Sequence, residues 1–148
     1  MKDINYLSTR GLEKKLNFED VLLSGLARDG GLYLPSEWPK FTLNDLNEMK
    51  NLDYISLAER IIKPYVGNDI ASELLSICKN VYQNFGKSEV ASLIQIDHQI
   101  HVLELFYGPT LAFKDYAMQF LAEIFEKVLY RKNKKILIVG ATSGDTGS

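Results

Sequence analysis

Apolar positions in the first hundred residues recur at helical spacing in short runs, broken by glycine, proline and aspartate. Asn17 followed by Asp20 is a helix-start pattern, because an oxygen ahead of the first turn takes an otherwise unpaired backbone N–H. Phe18, Val21, Leu22 and Leu26 follow at helical spacing. Asp29-Gly30-Gly31 predicts the stop, since paired glycines reach left-handed backbone geometry cheaply. Leu32-Tyr33-Leu34 reads as a short strand ended by Pro35. Thr42 with Asp45 marks a second helix start, and a third helix is predicted over 57–62, ahead of Pro64. From Asn68 onward, Ile70, Leu74, Ile77, Cys78, Val81, Tyr82 and Phe85 form one apolar stripe. That stripe predicts a longer core-facing helix stopped by Gly86. Cys78 lies within it, with no neighbouring His or second Cys to suggest a metal site or a thiol nucleophile.

Near residue 90 the period changes. Residues 92–96 and 100–106 carry β-branched and alternating apolar side chains, with Asp97-His98-Gln99 as the turn between two strands. Gly108-Pro109-Thr110 then leads into a helix predicted over 114–130, with Ala117, Phe120, Leu121, Ile124, Phe125, Val128 and Leu129 as its apolar stripe. Arg131, Lys132, Lys134 and Lys135 sit where cations complement a helix C-terminus. Residues 135–140 (KILIVG) have the continuous apolar pattern of a strand buried on both faces of a parallel sheet. Strand, helix, buried strand and glycine-rich loop is the opening of an α/β sheet. A single buried strand needs neighbours, so the chain is expected to stop in mid-domain, with a module boundary near 86–100.

Composition narrows the function classes. The 148 residues carry a net charge of -2, with 46% hydrophobic and 24% charged residues, values ordinary for a globular domain. Basic residues do not outnumber acids, so nucleic acid is not an expected partner. No run of about 18 apolar residues could cross a membrane as a helix, and residues 1–10 lack a signal-peptide core. One cysteine cannot form an internal disulfide. The expected location is cytoplasmic.

Two segments carry candidate chemistry. In Leu105-Phe106-Tyr107-Gly108-Pro109-Thr110-Leu111-Ala112-Phe113-Lys114-Asp115 a lysine stands at a helix start among apolar neighbours. The positive end of the helix dipole and desolvation beside Leu111 and Phe113 both disfavour an ammonium there. The neutral amine is the form that adds to an aldehyde. Asp115 is a favourable first-turn acid that could orient or balance the lysine; a surface Lys114–Asp115 pair is the plainer alternative. The second segment is 140–147, three glycines with hydroxyl and carboxylate side chains directly after a predicted strand. Such a loop exposes N–H groups that bind phosphate or carboxylate, or it is simply a tight turn. It matches neither the Walker A pattern nor G-x-G-x-x-G. Asp145 is discordant with an anionic ligand, so it faces a donor or caps a following helix.

The segment from Glu104 to Asp115 resembles the cofactor-lysine segment of the threonine synthase family. Gly140-Ala141-Thr142-Ser143-Gly144-Asp145-Thr146-Gly147 resembles that family's substrate-carboxylate loop. Tyr6-Leu7-Ser8-Thr9-Arg10-Gly11 and Gly25-Leu26-Ala27-Arg28-Asp29-Gly30-Gly31-Leu32-Tyr33-Leu34-Pro35 resemble its small leading domain. Tyr107 stands where histidine is more usual, and the family's enzymes continue for hundreds of residues beyond this length. The resemblance implies an α/β fold: a small, mainly helical N-terminal domain over 1–86, followed over 87–148 by the truncated start of a fold type II PLP-dependent α/β domain.

The resemblance also implies an activity. Threonine synthases are pyridoxal-phosphate (PLP) dependent carbon–oxygen lyases that convert O-phospho-L-homoserine and water into L-threonine and phosphate. On that basis Lys114 is the catalytic residue, holding PLP covalently and then moving protons at the substrate's Cα and Cβ. Thr142, Ser143, Gly144, Asp145, Thr146 and Gly147 cradle the substrate carboxylate, with Asp145 beside the cofactor ring. Ser8, Thr9 and Arg10 are candidates for the substrate-phosphate end, because Arg pairs bidentately with phosphate; Arg10 is equally a candidate salt-bridge partner. No metal is implied. A second glycine-rich loop for the cofactor phosphate and a partner for the pyridine nitrogen are missing from the 148 residues, so the chain alone is expected to be inactive. Its uncovered strand is expected to drive self-association. Two other classes fit parts of the pattern: a non-catalytic helical interaction module, and a phosphate- or nucleotide-binding domain using only residues 140–148.

Overall fold

The computed structural model describes residues 4–144, 146 and 147. The chain divides into two compact units, Met1–Leu52 with Ser56–Leu75, and Asp53–Ile55 with Ser76–Ser148.

In the first unit, β1 (Tyr6–Ser8) pairs antiparallel with β2 (Tyr33–Pro35), Tyr6 opposite Pro35 and Ser8 opposite Tyr33. Leu16 adds a bridge on Tyr6's other side, through backbone bonds of 2.8 and 3.1 Å. Helix α1 (Phe18–Ser24) begins as its sequence predicts, with the Asp20 N–H donating to Asn17 Oδ1 at 2.8 Å. It ends earlier than predicted. Gly25 adopts φ +69° and terminates it, leaving Leu26 outside the helix and exposed; Gly30 also takes a positive φ, +77°, but in the turn that follows, so it is Gly25 that ends the helix. Helix α2 (Leu43–Met49) opens with a reciprocal capping box between Thr42 and Asp45, which satisfies two backbone donors at once. Helix α3 (Tyr54–Ile62) runs into a 3-10 turn at Lys63–Tyr65 that holds Pro64. Helix α4 (Asn68–Ala71) closes this part. Tyr6, Ala27, Met49, Val66, Ile70 and Leu74 are buried, and Tyr6 Oη donates to the Tyr65 carbonyl at 2.5 Å.

The stripe predicted as one helix from residue 68 folds as two, α4 and α5 (Leu74–Tyr82), with a turn at 72–73. Its apolar face is nevertheless buried at Ile70, Leu74, Ile77, Cys78, Tyr82 and Phe85. Burial selects the side chains even where the backbone breaks.

In the second unit, β3 (Ser92–Asp97) and β4 (Ile100–Glu104) form an antiparallel hairpin with a register irregularity between Gln95 and Asp97. Helix α6 (Asp115–Arg131) follows, buried at Ile124 and Val128, while Leu121 of its predicted stripe is exposed. Tyr54, Tyr82, Phe85 and Tyr116 meet edge to face, with centroids 5.0 Å apart for Tyr54–Tyr82 and 4.9 Å for Phe85–Tyr116, the geometry that aromatic quadrupoles favour. Tyr82 Oη donates to the Tyr116 carbonyl at 2.9 Å, and Tyr116 Oη to the Val90 carbonyl at 2.6 Å. Val90 itself is held at φ +61°.

Residues 135–140 depart from expectation. They form no strand, and Leu137, Ile138 and Val139 are 88%, 74% and 85% exposed. A strand exists only through its ladder partners, and among the described residues none pairs with this segment. The pairing present is antiparallel throughout; a parallel sheet is not formed among the described residues.

Candidate functional site

Lys114 is the N-cap residue of α6 and already has helical geometry, φ -67° and ψ -18°. Its carbonyl accepts from the Ala117 and Met118 N–H groups at 3.1 and 2.8 Å, so its backbone is tied to the first helical turn. The side chain is half-buried, with Nζ 5.1 Å from the Phe113 ring centroid. Leu111 and Phe113, whose neighbourhood was expected to desolvate the amine, are 70% and 55% exposed.

The loop that delivers Lys114 is fixed at both ends. At its start, the Gly86 N–H donates to the Tyr107 carbonyl at 2.7 Å. Lys87 Nζ donates to Tyr107 Oη at 3.2 Å, Tyr107 Oη donates to Glu104 Oε2, and the Lys87 ammonium lies 4.9 Å from the Tyr107 ring centroid. The Tyr107 hydrogen bond, aided by the Glu89 and Glu104 charges, raises the Lys87 pKa. At its end, the Asp115 carboxylate is buried and accepts from the Thr110 N–H at 2.8 Å and from Thr110 Oγ1 at 2.9 Å. Between these anchors Leu111 takes φ +64°, a costly conformation for a branched side chain. Asp115 therefore acts on the turn ahead of the lysine. This role was hidden in the sequence, where an acid beside a lysine reads as a counter-ion.

Within 140–147, the Gly144 N–H donates to Thr142 Oγ1 at 3.2 Å, and the Gly147 N–H to the Gly144 carbonyl at 3.0 Å. Gly144 has φ +135°. Thr142, Ser143, Gly144, Thr146 and Gly147 are all exposed, and Asp145 lies outside the described residues.

Ser8, Thr9 and Arg10 are tied together in the first unit by Asp29, a residue not among the candidates the sequence offers. Buried Ser8 donates through Oγ to both Asp29 carboxylate oxygens, at 2.7 and 2.8 Å. The Leu12 and Gly31 N–H groups add bonds of 3.1 and 2.9 Å to that carboxylate. Thr9 Oγ1 accepts from the Leu32 N–H at 3.0 Å, and Arg10 Nη1 donates to the Asp29 carbonyl at 3.1 Å. The Ser8 hydrogen bond, with the two backbone donors, holds the Asp29 carboxyl below its usual range. The available signal was Asp29 standing before two glycines, a pattern for a side chain that closes its own turn. Among the described residues there is no His, Cys, Asp or Glu group able to hold a metal, and no helix long and apolar enough to cross a membrane.

Residues 5–82 match the sequence family described as the threonine synthase N terminus. The chain is 48% identical over 146 residues to threonine synthase of Pseudomonas aeruginosa, covering 98% of this chain and 31% of that protein. It is 40% identical over 155 residues to threonine synthase of Schizosaccharomyces pombe, covering 98% of this chain and 30% of the relative. The crystal structure of PLP-bound threonine synthase from Brucella melitensis superposes with a TM-score of 0.94 at 46% identity, over 97% of this chain and 31% of that one. Threonine synthase from Escherichia coli gives a TM-score of 0.81 at 31% identity, over 97% and 32%. The chain thus spans about a third of the length of the curated relatives it matches.

Proposed function

The chain belongs to the family of the threonine synthase N terminus, and from that we propose that it supplies the cofactor lysine and part of the substrate site of a PLP-dependent lyase making L-threonine and phosphate from O-phospho-L-homoserine and water. The observation that carries this reading is the likeness over 97% of the chain to a threonine synthase with PLP bound. The helical interaction module leaves that likeness and the double anchoring of the lysine loop unexplained.

The residues present fit PLP in one respect that can be tested on their chemistry: a primary amine, half-buried, stands on a backbone tied at both flanks. Lys114 would hold the cofactor through that amine. PLP, when bound, supplies an electron sink for charge developing beside the substrate's amino group. Lys114 then takes and returns protons at the substrate's Cα and Cβ, a role that needs an amine within hydrogen-bond reach of both carbons. The 142–147 loop is assigned to the substrate carboxylate. Ser8, Thr9 and Arg10 are assigned to the phosphate end, with Arg10's exposed guanidinium as the anion-binding group and the Asp29 knot as its support.

By themselves the 148 residues do not turn over substrate, since they contain no second glycine-rich loop for the cofactor phosphate and catalysis needs a preorganised pocket. The test is direct. The chain is incubated with PLP, reduced with borohydride, digested and mapped. Label concentrated on Lys114 is expected; label spread evenly over the lysines, or concentrated on Lys134 or Lys135, would sink the assignment.

A further inference from the structure

The lysine loop contains a fastening that the proposed chemistry does not use. Asp115 is 4% exposed, follows Lys114 directly, and is the first residue of α6. Its Oδ2 accepts the Thr110 N–H at 2.8 Å and its Oδ1 the Thr110 hydroxyl at 2.9 Å. The Thr110 hydroxyl also accepts from the Ala112 N–H at 3.4 Å, and the Leu111 N–H reaches the Gly108 carbonyl at 3.1 Å. Gly108 is buried against the same carboxylate, so close that a Cβ there would overlap the Asp115 side chain, with its carboxyl carbon 2.7 Å away. A side chain at residue 115 thus reaches back five residues and closes the chain into a ring. Lys114 sits inside that ring, one residue from its knot.

Two hydrogen bonds from one residue to one carboxylate fix orientation as well as distance, and bonds to an ionised acceptor are the stronger kind. The α6 turn holds Lys114 from the C-terminal side, and the ring holds it from the N-terminal side. We propose that Asp115 is the positioning residue for Lys114. Through Thr110 it sets the backbone position from which the Lys114 amine is presented, and Gly108 is required because no side chain fits beneath the carboxylate. The proposal rests on the reading that Lys114 is the cofactor lysine. It is distinct from a charge-balancing role, because it runs through the Thr110 hydroxyl rather than through the lysine's charge.

Thr110→Val removes the hydroxyl while keeping the shape and the backbone N–H, and Thr110→Ser restores the hydroxyl. The full chain and both variants are treated with PLP and borohydride, and the initial rate of label appearing on Lys114 is compared with that on the other lysines. Amide hydrogen exchange at Ile124 and Val128 reports in parallel whether α6 stays folded. The expected result is a fall of roughly tenfold in the Lys114 rate for Thr110→Val, given how steeply reaction depends on placement. Thr110→Ser should label close to the unmodified chain, and exchange in α6 should be unchanged in both. Equal Lys114 labelling in Thr110→Val and the unmodified chain overturns the proposal and leaves the lysine assignment standing. Loss in Thr110→Ser as deep as in Thr110→Val also overturns it, since the hydroxyl would not be the determinant. Failure of the lysine assignment is seen separately, as absence of preference for Lys114 in the unmodified chain, and overturns both.

Discussion

Replacing Gly31 with alanine tests the Asp29 knot at its tightest point. Gly31 is buried, and a Cβ there would overlap Ser8 Oγ while standing 3.0 Å from both Asp29 Oδ1 and Thr9 Oγ1. Ser8 cannot simply turn away, because its hydroxyl makes both bonds to Asp29 and accepts from the Arg10 N–H at 3.2 Å. Overpacking of this kind costs about 1–3 kcal/mol, and Gly→Ala returns about 0.4–1 kcal/mol by restricting the unfolded chain. The net expectation is a loss of about 1–2 kcal/mol, which lowers a urea midpoint by roughly 0.5–1 M. Gly140→Ala is the control: nothing lies within 4 Å of its Cβ, so its effect should stay within about 0.5 kcal/mol. Urea denaturation followed by circular dichroism gives both midpoints. A Gly31→Ala midpoint equal to or above that of the unmodified chain would show that Ser8, Thr9 and Asp29 are not packed as described.

Other perturbations have outcomes fixed by the same structure. Thr42→Ala removes the α2 capping box and should cost about 1 kcal/mol, whereas Thr42→Ser should not; the same urea series reads both. Ile124→Ala empties a position only 1% exposed and should cost about 2–5 kcal/mol, so a midpoint near the unmodified value would contradict the burial of α6. On the acid side, Asp29 and Asp45 are held below their ordinary 3.8, chiefly by the Ser8 and Thr42 hydrogen bonds respectively. Their contribution is present above that value and lost as pH falls below it, so Asp29→Asn should flatten the acid limb of a stability–pH curve. On the alkaline side, burial raises Tyr6 from 10.0 to about 12. Its contribution is complete below pH 10 and declines toward pH 12, and Tyr6→Phe should reduce that decline. Exposed Leu137, Ile138 and Val139, with Leu93, Ile96 and Leu103 of the hairpin, predict concentration-dependent self-association; light scattering that returned 16.8 kDa at every concentration would contradict it.

Local structure was legible wherever one residue settles its own neighbourhood. Asn17 and Thr42 cap the helices their positions announce, the hairpin turns where Asp97-His98-Gln99 indicates, and α6 starts one residue after Lys114. Apolar spacing also named most of the buried face between Ile70 and Phe85, although it could not show the break at 72–73, because packing tolerates a turn that periodicity does not register. The segment 135–140 was misread for a related reason. Its apolar run reports what a sheet would bury, whereas a strand forms only against a partner. Of the candidate site, Lys114 and the glycine loop stood out in the sequence, since glycine runs and a lysine at a helix start are local signals. The fastening of Thr110 by Asp115 and of Ser8 by Asp29 was not legible, because each depends on a side-chain direction that spacing does not encode.

The central claim is that this chain carries the cofactor lysine of a threonine synthase, and a chimera tests it most directly. Residues 1–148 replace the matching third of the Pseudomonas aeruginosa threonine synthase, to which the chain is 48% identical over 146 residues. Phosphate released from O-phospho-L-homoserine is measured with PLP present, for this chimera and for its Lys114→Ala form. The account predicts release by the chimera and none above the buffer blank for Lys114→Ala, with both proteins equally folded by circular dichroism. Phosphate release that survives Lys114→Ala, or a folded chimera that releases none while the Pseudomonas enzyme does, would contradict it.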